Sequence, residues 1–137
     1  MGLWYHRAAE EDDMEKAQGI GGVFFRAKDP EALSRWYHDH LGIDPVGGTP
    51  WMQQGGYTVF APFAEDTDYF GDQTKQWMIN FRVTDLAAMI AQLIAADIAV
   101  ETRPEWDGEI GYFARLHDPE GNPIELWQPI GRAADTA

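Results

Sequence analysis

The chain has 137 residues, the length of one ordinary domain and too short for two large ones. Its formal net charge of −13 opposes a nucleic-acid backbone or an anionic membrane surface as the main partner, because both repel it at long range. Cysteine is absent, which removes disulfide frameworks, thiolate zinc sites, iron–sulfur clusters and cysteine nucleophiles and agrees with a cytoplasmic location.

Residues 1–19 carry the acidic cluster Glu10-Glu11-Asp12-Asp13-Met14-Glu15 and read as an extension outside the folded domain. They lack a basic patch followed by an apolar stretch, and no apolar run of the chain approaches a membrane span, so the expectation is a protein that is not exported. From Ile20 to Ala27 the pattern alternates with Val23, Phe25 and Ala27 on one side, the period of a strand with one buried face. Asp29-Pro30-Glu31 then signals a helix start: Asp caps free amides, Pro suits the first helical position, and Glu favours the positive end of the dipole. That helix should bury Leu33, Trp36, Tyr37 and Leu41 and close at Gly42. Short strands are expected at Ile43 to Val46, Pro50 to Gln54 and Tyr57 to Pro62, the last two joined by a Gly55-Gly56 turn.

The same grammar then recurs. Ile79-Asn80-Phe81-Arg82-Val83-Thr84-Asp85 repeats Val23-Phe24-Phe25-Arg26-Ala27-Lys28-Asp29, and a second amphipathic run follows with Leu86, Met89, Ile90, Leu93 and Ile94 as its apolar stripe. Asp97 stands near its closing position, a residue less tolerant of left-handed backbone than glycine. Strands are expected near Ile98 to Thr102, Gly111 to His117 and Pro123 to Gln128, with Asp118-Pro119-Glu120-Gly121-Asn122 as the final hairpin turn. The second copy is the longer, and its extra residues fall most naturally over 102–109, a candidate lid containing Trp106. The fold class read from this order is α+β: two tandem βαβββ modules, about 20–63 and 76–130, within a domain spanning 20–130 and followed by a tail over 131–137.

The paired modules, the Phe-Arg-x-x-Asp segments and the run Phe113-Ala114-Arg115-Leu116-His117-Asp118-Pro119-Glu120-Gly121-Asn122-Pro123-Ile124-Glu125-Leu126-Trp127 resemble the vicinal oxygen chelate superfamily of glyoxalases, bleomycin-resistance proteins and extradiol dioxygenases. The resemblance implies curved mixed sheets around a ligand cleft, helices on the outer face, and a homodimer as the expected partner state. Metal-dependent members draw ligands from the first and last strands of both modules. The matching places here are Gly22, Thr58, Met78 and Glu125, of which only Glu125 is a good donor. A divalent ion needs about three donors of suitable type, so no metal or other cofactor is predicted. The histidines do not repair the deficit, since His38 and His40 point to different helix faces, His6 lies in the extension and His117 at a turn.

Strand alternation separates core from cleft. Val23, Phe25 and Ala27, with Ile79, Phe81 and Val83, should face the helices. The opposite parity gives the candidate ligand-binding residues Phe24, Arg26, Met78, Asn80 and Arg82; Thr58, Phe60 and Trp127 join them from the closing strands and Trp51 from the strand before. Such a cleft is aromatic, with a carboxylate, an amide and two arginines at its edges, the mixture of a small-molecule pocket. Glu125 is either a general base raised by aromatic neighbours or half of an ion pair with arginine. Arg26 and Arg82 either fork onto an acidic ligand or neutralise nearby carboxylates. Three functions stay open. The leading one is a metal-independent binding protein that sequesters a small aromatic or cationic compound, as bleomycin-resistance proteins do. The alternatives are a glyoxalase-like lyase or isomerase using Glu125 as base or as part of an atypical metal site, and a homodimeric interaction module whose cleft is vestigial.

Overall fold

The computed structural model describes residues 14–43 and 50–135. Most of the acidic extension, the stretch 44–49 that includes part of the strand expected at Ile43 to Val46, and residues 136–137 lie outside the described residues. In chain order the elements are helix α1 (Pro30–Leu41), strand β1 (Ile79–Arg82), helix α2 (Leu86–Ala95), strand β2 (Gly111–His117) and strand β3 (Pro123–Pro129). Short 3-10 turns span Pro104–Trp106 and Gly131–Ala134.

Both helices start as the sequence dictates. Asp29 accepts from the Ala32 amide at 3.1 Å and Asp85 from the Ala88 amide at 3.0 Å, so each satisfies a donor that the first turn would leave bare. Gly42 closes α1 at φ 68°, its amide donating to the His38 carbonyl. After α2 it is Asp97 that takes the left-handed turn, at φ 61°, in the one non-glycine position with positive φ among the described residues. Leu33 and Tyr37 of α1 and Leu86 and Leu93 of α2 are buried, with Trp36, Leu41, Met89 and Ile90 packed at the margin. Ile94 departs from the expected stripe and is exposed. At about 100° per residue it is turned about 100° away from fully buried Leu93, to the edge of the stripe centred on Leu86 and Leu93.

The sheet has the order β1-β3-β2: β1 runs parallel to β3 with Asn80 beside Glu125, and β2 runs antiparallel to β3 with Arg115 opposite Glu125. Ala114, Leu116, Ile124 and Leu126 project to one side, where they meet Leu33, Tyr37, Leu86 and Leu93 in a single core. Full burial of each large aliphatic stabilises the fold by roughly 1.5–3 kcal/mol before entropy is counted. Alternation therefore places Asn80, Arg82, Phe113, Arg115, Glu125 and Trp127 on the face turned away from the helices.

The Asp118–Asn122 turn is the mechanical joint of the molecule. The Asp118 carboxylate, 4% exposed, accepts from the Tyr37 hydroxyl at 2.7 Å, the Asn122 side-chain amide at 2.8 Å, and the backbone amides of Glu120 and Asn122 at 2.9 and 3.0 Å. Burial, followed by the Asp118 carboxylate it donates to, holds the Tyr37 phenol well above the ordinary tyrosine range. Glu120 reaches the other way and accepts from the Lys28 and Asp29 amides at 2.6 and 3.0 Å. The turn thus clamps the start of α1 to the end of the sheet.

The segments 20–27, 50–54 and 57–62, expected as strands, pair with no neighbour, and the strand expected at Ile98 to Thr102 is reduced to a bridge between Glu101 and Arg115. Ala27 still packs against the core, and the Phe25 ring meets Tyr37 and Trp77 edge-on at 6.5 and 5.0 Å. Val23, placed in the core by its alternation, is 53% exposed. Without a neighbouring strand the alternating pattern has no sheet to define an inside.

Candidate functional site

On the polar side of the sheet lies a cavity of about 640 Å³. The sheet supplies its floor through Asn80 of β1, Phe113 of β2, and Glu125 and Trp127 of β3, with Met78 just ahead of β1. The remaining wall comes from the segment joining the two sequence copies, through Tyr69 and Phe70, and from its flanks, through Phe63 and Trp77. The rings order one another. Phe63 stacks on Tyr69 at 5.4 Å between centroids and meets Phe70 at 5.2 Å, while Phe113 lies parallel to Trp127 at 6.2 Å. The Trp127 indole also donates to the Ile110 carbonyl at 2.8 Å, which fixes its plane.

Glu125 is the polar centre of this floor. The Tyr69 hydroxyl donates to its Oε2, and the Asn80 amide donates to its Oε1 at 2.8 Å, so both carboxylate oxygens are engaged. Burial, and then the Glu125 carboxylate beside it, pushes the Tyr69 phenol up to about 12; the Arg115 guanidinium, 4.4 Å from the tyrosine ring, pulls in the opposite direction. At neutral pH the phenol therefore keeps its proton and remains the donor.

Among the described residues no group of three or more His, Cys, Asp or Glu side chains is placed to hold a divalent metal. His38 and His40 sit on α1, His38 beside the Ile43 carbonyl and His40 against the Trp36 ring.

Of the residues singled out from sequence, Met78, Asn80, Glu125 and Trp127 line the cavity together. Phe24, Arg26, Trp51, Thr58, Phe60, Arg82 and Trp106 do not. Phe24 and Phe60 point into solvent at 96% and 84% exposure, and Arg26 and Thr58 are exposed as well. Trp51 is partly exposed with its ring 6.4 Å from Phe81. Arg82 donates to the Gly55 and Gln54 carbonyls at 3.1 and 2.9 Å, so it pins the glycine turn to β1. Trp106 lies beside the guanidinium groups of Arg103 and Arg115 at 5.4 and 5.6 Å.

Sequence reasoning missed Phe63, Tyr69, Phe70, Trp77 and Phe113, which line the cavity, and Arg115, whose guanidinium lies against Tyr69. For Phe113 and Arg115 the signal was present, since alternation through Ala114 and Leu116 leaves them on the cleft face. For Tyr69 and Phe70 there was only an aromatic pair within a turn-rich stretch, which has no period to read.

A family model described as Glyoxalase/Bleomycin resistance protein/Dioxygenase superfamily matches residues 19–126. No curated protein matches the sequence. Among solved structures, TnmS3, an antibiotic binding protein from Streptomyces sp. CB03234, is similar at 25% identity and a TM-score of 0.58, over 85% of this chain and 100% of that one. Lactoylglutathione lyase from Agrobacterium tumefaciens shares the fold at 20% identity and a TM-score of 0.54, over 83% of this chain and 96% of that one.

Proposed function

This chain belongs to the Glyoxalase/Bleomycin resistance protein/Dioxygenase superfamily, and on that premise we propose that it is a metal-independent binding protein that sequesters a small aromatic compound in the cleft beside Glu125. One observation carries the reading: a cavity walled by six aromatic rings, with Glu125 on its floor held by Tyr69 and Asn80. Rings of this kind bind planar apolar surface, and one carboxylate with an amide supplies orientation. The antibiotic-binding function of TnmS3, a neighbour of similar fold, supports the same role. Tyr69 and Asn80 each hold one oxygen of Glu125 in place, an arrangement that suits a group orienting a ligand and favours binding over proton abstraction. The cavity stays open rather than being filled by Trp51 or Phe60, which speaks for a working cleft over a vestigial one.

Titration with a panel of planar aromatic compounds, read through quenching of the tryptophans at the cavity, tests this. Saturable binding at about micromolar affinity is expected, unchanged by a chelator. Failure of the whole panel to bind, or loss of binding in chelator, would overturn it.

The complete binding unit is a homodimer of the 20–130 domain in the cytoplasm. Phe24, Met52 and Phe60 are 96, 91 and 84% exposed on segments whose sequence alternates like strands, and so much unpartnered apolar surface favours burial against another chain. A second copy docking there would bring Phe24, Arg26, Trp51, Thr58 and Phe60 toward a cleft, and the repeat supplies matching strands for them. Sedimentation equilibrium should return twice the chain mass at micromolar concentration; a monomer at that concentration would defeat the assignment.

A further inference from the structure

Arg115 is the polar residue for which the cleft has no explanation. It projects from the middle of β2 on the cleft face, directly opposite Glu125 in the ladder. Its guanidinium lies 4.4 Å from the Tyr69 ring and 5.6 Å from the Trp106 ring, so aromatic faces surround it. Its Nε and Nη2 are buried and have no hydrogen-bond partner among the described residues. The carboxylate next door accepts from Tyr69 and Asn80 and makes no hydrogen bond to either nitrogen.

Those two nitrogens form the side-on edge of a guanidinium, whose parallel N–H bonds match a pair of coplanar oxygen lone pairs. A buried donor without an acceptor is costly, and two on one charged group call for something that answers them. We propose that Arg115 is a ligand-anchoring residue, and that the compound bound in the cleft presents a planar oxygen acceptor to it, a carboxylate or a conjugated carbonyl, carried on an aromatic body. This rests on the binding role proposed above and narrows its ligand class away from cations.

Tyr69 controls access. Arg115 does not itself line the cavity, whereas Tyr69 does and lies against the guanidinium, so an acceptor reaches Arg115 when the tyrosine ring turns aside. The chain's net charge opposes an anion only at long range and is largely screened beyond about 8–10 Å at physiological ionic strength. A carbonyl acceptor is indifferent to it.

The test compares three probes of one shape on the purified full chain: naphthalene-2-carboxylate, naphthalene-2-carboxamide and 2-ethylnaphthalene. Tight binding of the first alone identifies an oxyanion acceptor, and of the first two a carbonyl acceptor; either should exceed 2-ethylnaphthalene by about tenfold, the effect of one hydrogen-bonded anchor. Arg115→Lys keeps the charge but loses the fork, and Arg115→Met loses both, so the preference should shrink in the first variant and vanish in the second. Equal affinity of the wild-type chain for all three probes would overturn the anchor while leaving small-molecule binding intact. If none of the three binds yet other aromatic compounds do, the anchor again fails alone. Should no aromatic compound bind at all, both readings fall. The wild-type comparison stands even if a variant does not fold.

Discussion

Replacing Asp118 by alanine should remove about 3–5 kcal/mol of stability, enough to unfold much of the population of a marginally stable domain at 37 °C. The magnitude follows from what the carboxylate does. Four donors converge on it at 3.0 Å or less, two of them backbone amides of the turn and one the hydroxyl of buried Tyr37. Alanine would leave all four bare in a region where water has little access. It would also release the turn whose Glu120 holds the Lys28 and Asp29 amides, so the start of α1 should loosen with it. Tyr37→Phe removes only one donor together with its hydroxyl and should cost about 1–2 kcal/mol. Urea denaturation followed by circular dichroism measures both, and a loss below 1 kcal/mol for Asp118→Ala would show that the network does not carry the fold.

Gly111→Ala is the second large effect, at about 3 kcal/mol, and it bears on the site as well as on the fold. Gly111 opens β2 at φ 149°, backbone that a side chain rarely adopts. A methyl group there would collide with the Gln128 carbonyl of β3 and stand 2.6 Å from the Trp127 indole nitrogen. The carbonyl belongs to the ladder and cannot withdraw without parting β2 from β3. Because the Trp127 indole is held by the neighbouring Ile110 carbonyl, the collision should also tilt the ring that walls the cavity. Weakened probe binding and altered tryptophan emission are therefore expected along with the lower urea midpoint. Gly108→Ala is the control: its added carbon meets nothing within 4 Å and its backbone is not left-handed, so it should stay within about 0.5 kcal/mol of the wild type.

How much of this was legible in the sequence depends on the range of the interaction. Asp29 and Asp85 announced both helix starts, and Gly42 the end of the first, because a cap is a contact between residues three or four apart. The faces of Phe81, Asn80 and Glu125 followed from alternation, because those strands do have neighbours. Val23 and Phe24 alternate just as well, yet one is half exposed and the other wholly so, since parity assigns a side only once a sheet exists. Arg82 matched Arg26 in the repeat and invited the same reading, but its reach to the Gly55 and Gln54 carbonyls depends on where a distant turn passes.

By itself, then, the sequence determined the family, the helices, the core face of the second repeat and the face of the sheet that carries Glu125, all of which rest on local periodicity or on a contiguous motif. Only the tertiary structure decided who meets Glu125. Tyr69 and Asn80 arrive from far along the chain to occupy its two oxygens, and Arg115, its neighbour across the ladder, is left with an unanswered edge. The physical reason is that hydrogen-bond partnership is settled over a few ångströms of space, and no spacing along the chain encodes which donor reaches an acceptor first.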